Sequence, residues 1–272
     1  MLAILLLVLL PGVAHAHHGS TKTAGFANRI SGGISGVEAR SVVGAALSFQ
    51  RMTWERAPGN VGLAELYAQY QFTSSLVAGI VVPTLFLFPD SGASTPALGA
   101  IALEGKLLSD ITKQYRHALV AQLQLPTQTA FLGAEPGAIW VATIGSIHQF
   151  QTGQWLTQAG ALLSTDYRPA GVALDATLLA VVNRVLGAWS VGLGAEFETR
   201  LATGCALRGQ FSWCEDGRAS EPAGEFLRPL LRARPIVGYS LENQDISLSA
   251  YVPLTARDQQ PQQLSIAWSA SW

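Results

Sequence analysis

The sequence predicts an all-β protein, an antiparallel transmembrane β-barrel of about 12 strands. Three observations predict it. The chain opens with an apolar leader, it carries few charges without an apolar stretch long enough for a membrane helix, and many of its segments alternate between apolar and polar residues. Each observation narrows the fold class in turn.

The leader is the unbroken apolar run at residues 2–10, which no Lys or Arg precedes. A helix-breaking Pro-Gly pair follows, and then a small-x-small sequence that ends at Ala16. This pattern is typical of a secretory signal and its cleavage site. The run is too short to cross a bilayer, which takes about 20 residues. We therefore predict a signal peptide at residues 1–16 and an exported protein.

The composition then favours a membrane. Charged residues make up 13% of the chain, against roughly 25% in an ordinary soluble domain. The most apolar stretches, 76–88 and 172–195, are too short or are interrupted by polar residues. Because a bilayer admits only helices or closed barrels, a barrel in a Gram-negative outer membrane is favoured. A soluble periplasmic β-domain is the alternative.

Partners follow from the same composition. The formal net charge of −1 offers no basic surface, so no nucleic acid is expected. We expect outer-membrane lipid and lipopolysaccharide around the barrel, and a small-molecule solute inside it.

Alternation supplies the strands. In residues 189–200, Trp, Val, Leu, Ala and Phe occupy one face, while Ser, Gly, Glu and Arg occupy the other. This period of two is that of a strand. Other segments are less regular, notably 75–88, 139–150 and 154–165. Turn residues between the segments place the predicted strands at 41–54, 61–72, 75–88, 97–108, 116–127, 138–150, 154–165, 171–182, 188–200, 226–239, 245–254 and 262–272.

An even strand number returns both ends of a barrel to the periplasmic side. The short connections then fall on that side, with 109–115 as a longer exception. Residues 17–40 are predicted to be a flexible periplasmic lead-in, and residues 41–272 the barrel.

The last predicted strand alternates up to an aromatic final residue, Trp272. It resembles the assembly signal of outer-membrane barrels, in which Phe is the commoner last residue. The resemblance implies the barrel-assembly machinery as a partner.

A broader resemblance concerns the whole layout. Early hairpins lead to a strand that runs into Leu125-Pro126-Thr127. This is similar to the outer-membrane transporter family named for the MetA pathway of phenol degradation, whose members have a Leu-Pro-Thr-Gly corner there. The sequence departs from that pattern at Gln128. The resemblance implies a barrel that admits small, often hydrophobic molecules, and it supplies no catalytic residue.

Charged residues on inward faces are the candidate pore lining. They are Glu196, Glu198 and Arg200 on the ninth predicted strand, Arg228, Arg232 and Arg234 on the tenth, and Glu65, Glu104, Lys106 and Asp175 elsewhere. Opposite charges on adjacent strands can pair and fill the lumen. They can also form a charged constriction that selects solutes. Both interpretations remain open.

Cys205 and Cys214 lie in the longest predicted outer loop. Export exposes them to oxidising conditions, which predicts a disulfide. Free thiols or a metal site are the alternatives.

Histidines raise two further possibilities. His15, His17 and His18 flank the predicted cleavage site, and imidazoles beside a free amine can hold copper or zinc. No Cys or carboxylate cluster with metal spacing supports this, so we expect neither a metal nor another cofactor.

Ser146 and His148 share a strand face, and His117 begins another strand. No G-x-S-x-G sequence accompanies them, so we expect no enzyme. The predicted function is an outer-membrane channel or transporter for small solutes, including hydrophobic or aromatic ones. A lipid-modifying hydrolase and a structural or adhesion barrel acting through its outer loops are the alternatives.

Overall fold

The computed structural model describes residues 40–53, 58–89, 95–125, 127, 140–168, 171–204, 230–255 and 263–272. Within these residues the chain forms thirteen β-strands. No helix in the described part is long and apolar enough to cross a membrane. The strands are β1 (Val42–Thr53), β2 (Pro58–Gln71), β3 (Leu76–Pro89), β4 (Thr95–Leu98), β5 (Ala102–Asp110), β6 (Tyr115–Gln124), β7 (Trp140–Thr152), β8 (Trp155–Arg168), β9 (Gly171–Leu186), β10 (Trp189–Gly204), β11 (Leu230–Leu241), β12 (Gln244–Pro253) and β13 (Gln263–Ser271).

The strands close into an antiparallel barrel. Neighbours in sequence pair with one another, and β1 pairs with β13, which joins the first strand to the last. Both β4 and β5 pair with β3, so together they occupy one position in the wall. The result is a closed barrel of twelve strands. The predicted fold class is confirmed.

Hydrogen bonds from the residues after β6 stabilise the interruption between β4 and β5. The hydroxyl of Thr127 accepts a hydrogen bond from the Ile101 amide at 2.8 Å and donates one to the Gly99 carbonyl at 3.2 Å. The Leu125 amide donates to the Ile101 carbonyl at 2.7 Å. The segment after β6 therefore satisfies backbone groups that the break would leave without ladder partners.

The short turns share one end of the barrel, which we assign to the periplasm because outer-membrane barrels place short turns there. Gly153 and Gly187 adopt positive φ angles of 58° and 65°, a conformation that glycine adopts without steric cost. The connection that we predicted at 109–115 is shorter than expected. Strands β5 and β6 continue to Asp110 and from Tyr115, which leaves only residues 111–114.

The outer wall of the barrel is apolar. Side chains such as Leu66, Leu119, Ile144 and Leu193 are largely exposed because they face outward. Aromatic residues gather at the periplasmic end, as in the girdles of outer-membrane barrels. This periplasmic girdle contains Tyr70, Phe72, Tyr115, Phe150, Trp155, Trp189, Tyr239, Trp268 and Trp272.

One row of paired residues crosses the inner wall from end to end. This polar row takes one residue from each of seven barrel strands, each paired with the next: Gln69, Gly79, Glu104, Gln122, Thr143, Ser164 and Asp175. It starts near the periplasmic end of β2 and finishes near the outer end of β9. The row climbs because barrel strands are tilted and residues pair at right angles to them.

Glycines on the inner wall leave room for larger side chains beside them. A Cβ atom at Gly44 would collide with the ring of Tyr67, which lies across β1. The Tyr67 hydroxyl donates a hydrogen bond to the Trp268 carbonyl at 3.2 Å on β13. Tyr67 therefore ties together the strands on both sides of the closing seam.

Candidate functional site

The interior holds two networks of charged and polar side chains. The first centres on Glu104, whose carboxylate accepts hydrogen bonds from Gln69 Nε2 at 3.2 Å and Gln122 Nε2 at 2.8 Å. Lys106 Nζ donates to Gln69 Oε1 at 3.2 Å. All four side chains are buried, so each polar group exchanges water for a protein partner. We call these residues the Glu104 network.

The second network lies on β10 and β11. Arg232 Nη1 is 2.7 Å from Glu196 Oε1, and Arg232 Nη2 is 3.3 Å from Glu198 Oε2. The Arg232 side chain is 15% exposed and that of Glu196 only 5%. This Arg232 network forms because Glu196 and Arg232 are directly paired across the ladder.

Arg234 continues that wall toward β12. Its Nη2 donates to Ser249 Oγ at 3.0 Å, and its guanidinium lies 4.7 Å from the centre of the Tyr251 ring. A guanidinium over an aromatic face is an attractive cation–π arrangement. The arginine is thereby fixed against the wall.

The structure places the remaining predicted lining residues as follows. Glu65 and Asp175 are buried inside the barrel on β2 and β9. Arg200 is paired with Asp175 in the backbone ladder. Other candidates lie outside the described residues: Arg228, Cys205, Cys214, His15, His17 and His18. The predicted disulfide, signal peptide and most of the predicted lead-in also lie outside them.

The interior also contains an apolar surface that the sequence analysis did not identify. Seven buried side chains from six adjacent barrel strands form it: Val77, Leu108, Ala118, Val120, Ile147, Leu162 and Leu179. We call this set the apolar wall. Its signal in the sequence was the weak alternation of 75–88, 139–150 and 154–165, where apolar residues occupy both faces.

The apolar wall adjoins the Arg232 network directly. Leu179 is paired with Glu196, which is itself paired with Arg232. A single row of paired residues therefore changes from an apolar side chain on β9 to charged side chains on β10 and β11. A solute beside Leu179 would have an apolar surface on one side and an ion pair on the other.

A third part of the inner wall, on β12, β13 and β1, carries serine hydroxyl groups. Ser249 pairs with Ser265, and Ser265 pairs with Ser48. The hydroxyl oxygens of Ser48 and Ser265 are 2.8 Å apart. These side chains are smaller than the leucines and isoleucine of the apolar wall, and all three serines are buried.

Both histidines of the described residues, His117 and His148, lie outside the lumen. The described residues contain no group of three or more His, Cys, Asp or Glu that could hold a metal ion. Ser146 and His148 are on the outward face of β7, because Ile144 and Phe150 on the same face are largely exposed. His117 pairs with His148 and faces outward too. The three residues are therefore not part of the lumen.

Comparison with known proteins supports the fold. No protein-family model matches the chain, and no curated protein matches it significantly. An outer membrane channel from Pseudomonas putida F1 is similar in structure, with a TM-score of 0.63 and 11% identity, over 87% of this chain and 97% of that one.

Two porins are similar as well. The KdgM porin, solved in complex with disordered oligogalacturonate, has a TM-score of 0.51 and 7% identity over 85% of this chain and 99% of that one. The NanC porin has a TM-score of 0.51 and 6% identity over 85% of this chain and 100% of that one. At these identities the likeness concerns the fold.

The closed barrel, its apolar outer wall and its aromatic girdle define an outer-membrane β-barrel protein. The predicted outer-membrane location is thereby confirmed. The resemblance to the family named for the MetA pathway stays a prediction.

Proposed function

We propose that the barrel passes small solutes across the outer membrane and favours solutes that combine an apolar or aromatic body with a polar group. The observation that carries this proposal is the apolar wall beside the Arg232 network. These seven hydrophobic side chains pack together on the inner face, next to the ion pair, and give that part of the barrel an apolar character that a lumen lined only by polar groups would lack.

The magnitude of the effect is useful for a transport path. Transfer of apolar surface out of water contributes about 25 cal/mol per Å². The seven side chains are at most 8% exposed, so a ring gains this free energy only where side chains of the lumen move aside and let it contact the wall. That gain offsets much of the loss of hydration on entering a narrow lumen. It is also small enough for the solute to leave again.

The Arg232 network supplies the polar half of the recognition. One guanidinium faces two carboxylates, so charge in this part of the wall is partly compensated. Such a surface can hydrogen-bond a polar substituent without holding a counterion tightly. Lining roles for Glu65, Glu104, Lys106, Asp175, Glu196, Glu198, Arg232 and Arg234 are part of this proposal.

The comparisons support a channel in a general way. The Pseudomonas putida protein is described as an outer membrane channel, and KdgM and NanC as porins. Membership of the transporter family named for the MetA pathway is also proposed here. It rests on Leu125, Pro126 and Thr127 and on the apolar wall, which fits passage of hydrophobic molecules.

The test measures permeability of the refolded mature protein in planar bilayers. Reversal potentials compare benzenesulfonate, a small aromatic anion that does not cross lipid, with methanesulfonate, its aliphatic counterpart. The wild-type barrel is expected to favour benzenesulfonate. Val120→Thr, which keeps side-chain shape but makes the wall polar, should reduce that preference.

Val182→Thr is the matched control, because it is the same substitution at a lipid-facing position of β9. Its selectivity should equal that of the wild type. A folded barrel that conducts both sulfonates equally would contradict the solute preference. A folded barrel that conducts neither would contradict the channel itself and favour a structural or adhesion role.

A further inference from the structure

The lipid-facing surface carries a polar cluster that the solute path does not use. Tyr115 and His117 on β6 face His148 and Phe150 on β7. The Tyr115 hydroxyl is 2.7 Å from His148 Nδ1, and the centres of the His117 and His148 rings are 4.8 Å apart. Ser146 Oγ is 3.5 Å from His148 Nε2. We call Tyr115, His117, Ser146 and His148 the histidine cluster.

We propose that the histidine cluster binds the phosphate group of a glycerophospholipid in the periplasmic leaflet of the outer membrane. The cluster lies just inside the aromatic girdle, since Tyr115 and Phe150 belong to that girdle and the histidines follow them along β6 and β7. Girdle residues sit at the level of the headgroups. The two imidazoles therefore lie directly next to the headgroup level, within reach of the phosphates of that leaflet.

The hydrogen-bonding chemistry suits a phosphate. When Tyr115 donates its hydroxyl proton to His148 Nδ1, the proton of the neutral ring resides on Nε2, which becomes a donor. Stacking of Tyr115 on Phe150, with ring centres 4.5 Å apart, holds the phenol in place. His117 adds a second imidazole beside it.

The surface next to the cluster fits an acyl chain. The ladder row that contains the two histidines continues as Ala159, Ala180 and Ala195, and all three alanines are exposed. The row climbs from the periplasmic end of the barrel toward the membrane centre. It is therefore a shallow strip that starts at the headgroup level and rises in the direction of a lipid tail.

Larger side chains border that strip. Leu119, Leu178 and Leu193 are exposed on the outward positions next to His117, Ala180 and Ala195. A lipid chain above the alanines would contact these leucines from the side, and such contacts are individually weak but sum over the length of a chain. The polar cluster and the alanine strip together distinguish this position from the rest of the wall.

The experiment is native mass spectrometry of the mature barrel in detergent, titrated with dioleoyl phosphatidylglycerol. A phosphate-free galactosyl diacylglycerol with the same chains is titrated in parallel. The wild type is expected to bind one phosphatidylglycerol about tenfold more tightly than His117→Ala/His148→Ala, because two hydrogen bonds of ordinary strength are lost. The galactolipid should bind both proteins alike.

Two single changes separate the parts of the site. Ala180→Phe fills the strip one strand beyond the residue that pairs with His148 and should weaken binding, whereas Ala68→Phe, on the lipid-facing side of β2, should not. Tyr115→Phe should weaken binding, while Tyr70→Phe, in the same girdle, should not.

Heat-modifiable migration confirms that each variant is folded. Equal phosphatidylglycerol affinities for the wild type and the double variant would overturn the proposal, and so would equal affinities for the two lipids in the wild type. Because solute permeability is not measured here, failure of this site is independent of failure of the channel.

Discussion

The side chain of Gln69 on β2 crosses over β3 and donates a hydrogen bond to Glu104 on β5, 35 residues further along the chain. The crossing is open because Gly79 of β3 lies beneath it. A Cβ atom at Gly79 would be 2.7 Å from Gln69 Cγ and 2.6 Å from the Ala68 carbonyl oxygen. The Gln69 side chain thus connects β2 to β5 across β3, and the absence of a side chain at Gly79 leaves the space for it.

The first prediction concerns that crossing. Gly79→Ala should lower the free energy of unfolding by about 1–3 kcal/mol, because the new methyl displaces Gln69 from Glu104 and presses on backbone that cannot move freely. Urea unfolding in lipid vesicles, followed by tryptophan fluorescence, measures it. Gly105→Ala is the control, since no atom lies within 4 Å of a Cβ there. Equal losses in both variants would count against the crossing as the cause.

The second prediction concerns ion preference. Arg232→Gln removes the cation that faces Glu196 and Glu198, so two carboxylates remain without their shared guanidinium. The reversal potential in a potassium chloride gradient should shift toward cation selectivity. Arg184→Gln removes a cation that lies outside the barrel, over the Trp155 ring, and should leave the reversal potential unchanged. An unchanged reversal potential in Arg232→Gln would mean that the ions do not pass beside Arg232.

The third prediction concerns the support of the β4–β5 break. Thr127→Val removes both hydrogen bonds of the hydroxyl and should cost about 1–2 kcal/mol of stability. Hydrogen exchange at the Ile101 amide should accelerate, because that amide donates to Thr127. Thr127→Ser keeps the hydroxyl and should restore slow exchange. Fast exchange in the serine variant would mean that the methyl group, not the hydroxyl, supports the break.

The fourth prediction concerns assembly. The final strand β13 pairs with both β1 and β12, and Trp272 donates its amide to the Ser41 carbonyl at 3.2 Å. If the aromatic end is read by the barrel-assembly machinery, Trp272→Ala should reduce folded barrel in cells but not in refolding from urea. Trp272→Phe should assemble normally. A matching defect in refolding would attribute the effect to stability.

The fifth prediction concerns Cys205 and Cys214. In protein that has been exported from the cytoplasm, both cysteines should resist alkylation until a reductant is added, because the predicted disulfide occupies both thiols. Mass spectrometry of a digest identifies the linked peptides. Alkylation of both cysteines without reductant would show that the loop carries free thiols.

Much of the fold could be predicted from the alternation of apolar and polar residues along the sequence. In β13, and in β10 from Trp189 to Glu198, each outward position is apolar and each inward one polar or small, so side-chain alternation alone located strands and faces. The interruption after Leu98 was not predictable in that way. It depends on Thr127, which reaches the Gly99 carbonyl from the segment after β6, 28 residues further along the chain.

The interior was predicted only in part. Opposed charges on consecutive strands indicated that carboxylates of β10 could pair with arginines of β11, as Glu196 and Arg232 do, because consecutive strands of the barrel are direct neighbours. The contact of Gln69 with Glu104 required the register of three strands and an intervening glycine, which alternation does not specify. The apolar wall was missed for a related reason: an inward leucine resembles a lipid-facing one until the facing direction of its strand is known.

The inclination of the polar row has a geometric consequence. Its members do not form a ring at one depth but a ramp that passes through Glu104 and Gln122 to Asp175, gaining height with every strand. A molecule that exchanges one polar contact for the next along this ramp must turn about the barrel axis while it advances. In the proposed channel, a solute that followed this row would describe a screw motion, and a rigid, elongated solute would be slowed by shape even where its chemistry matched the wall.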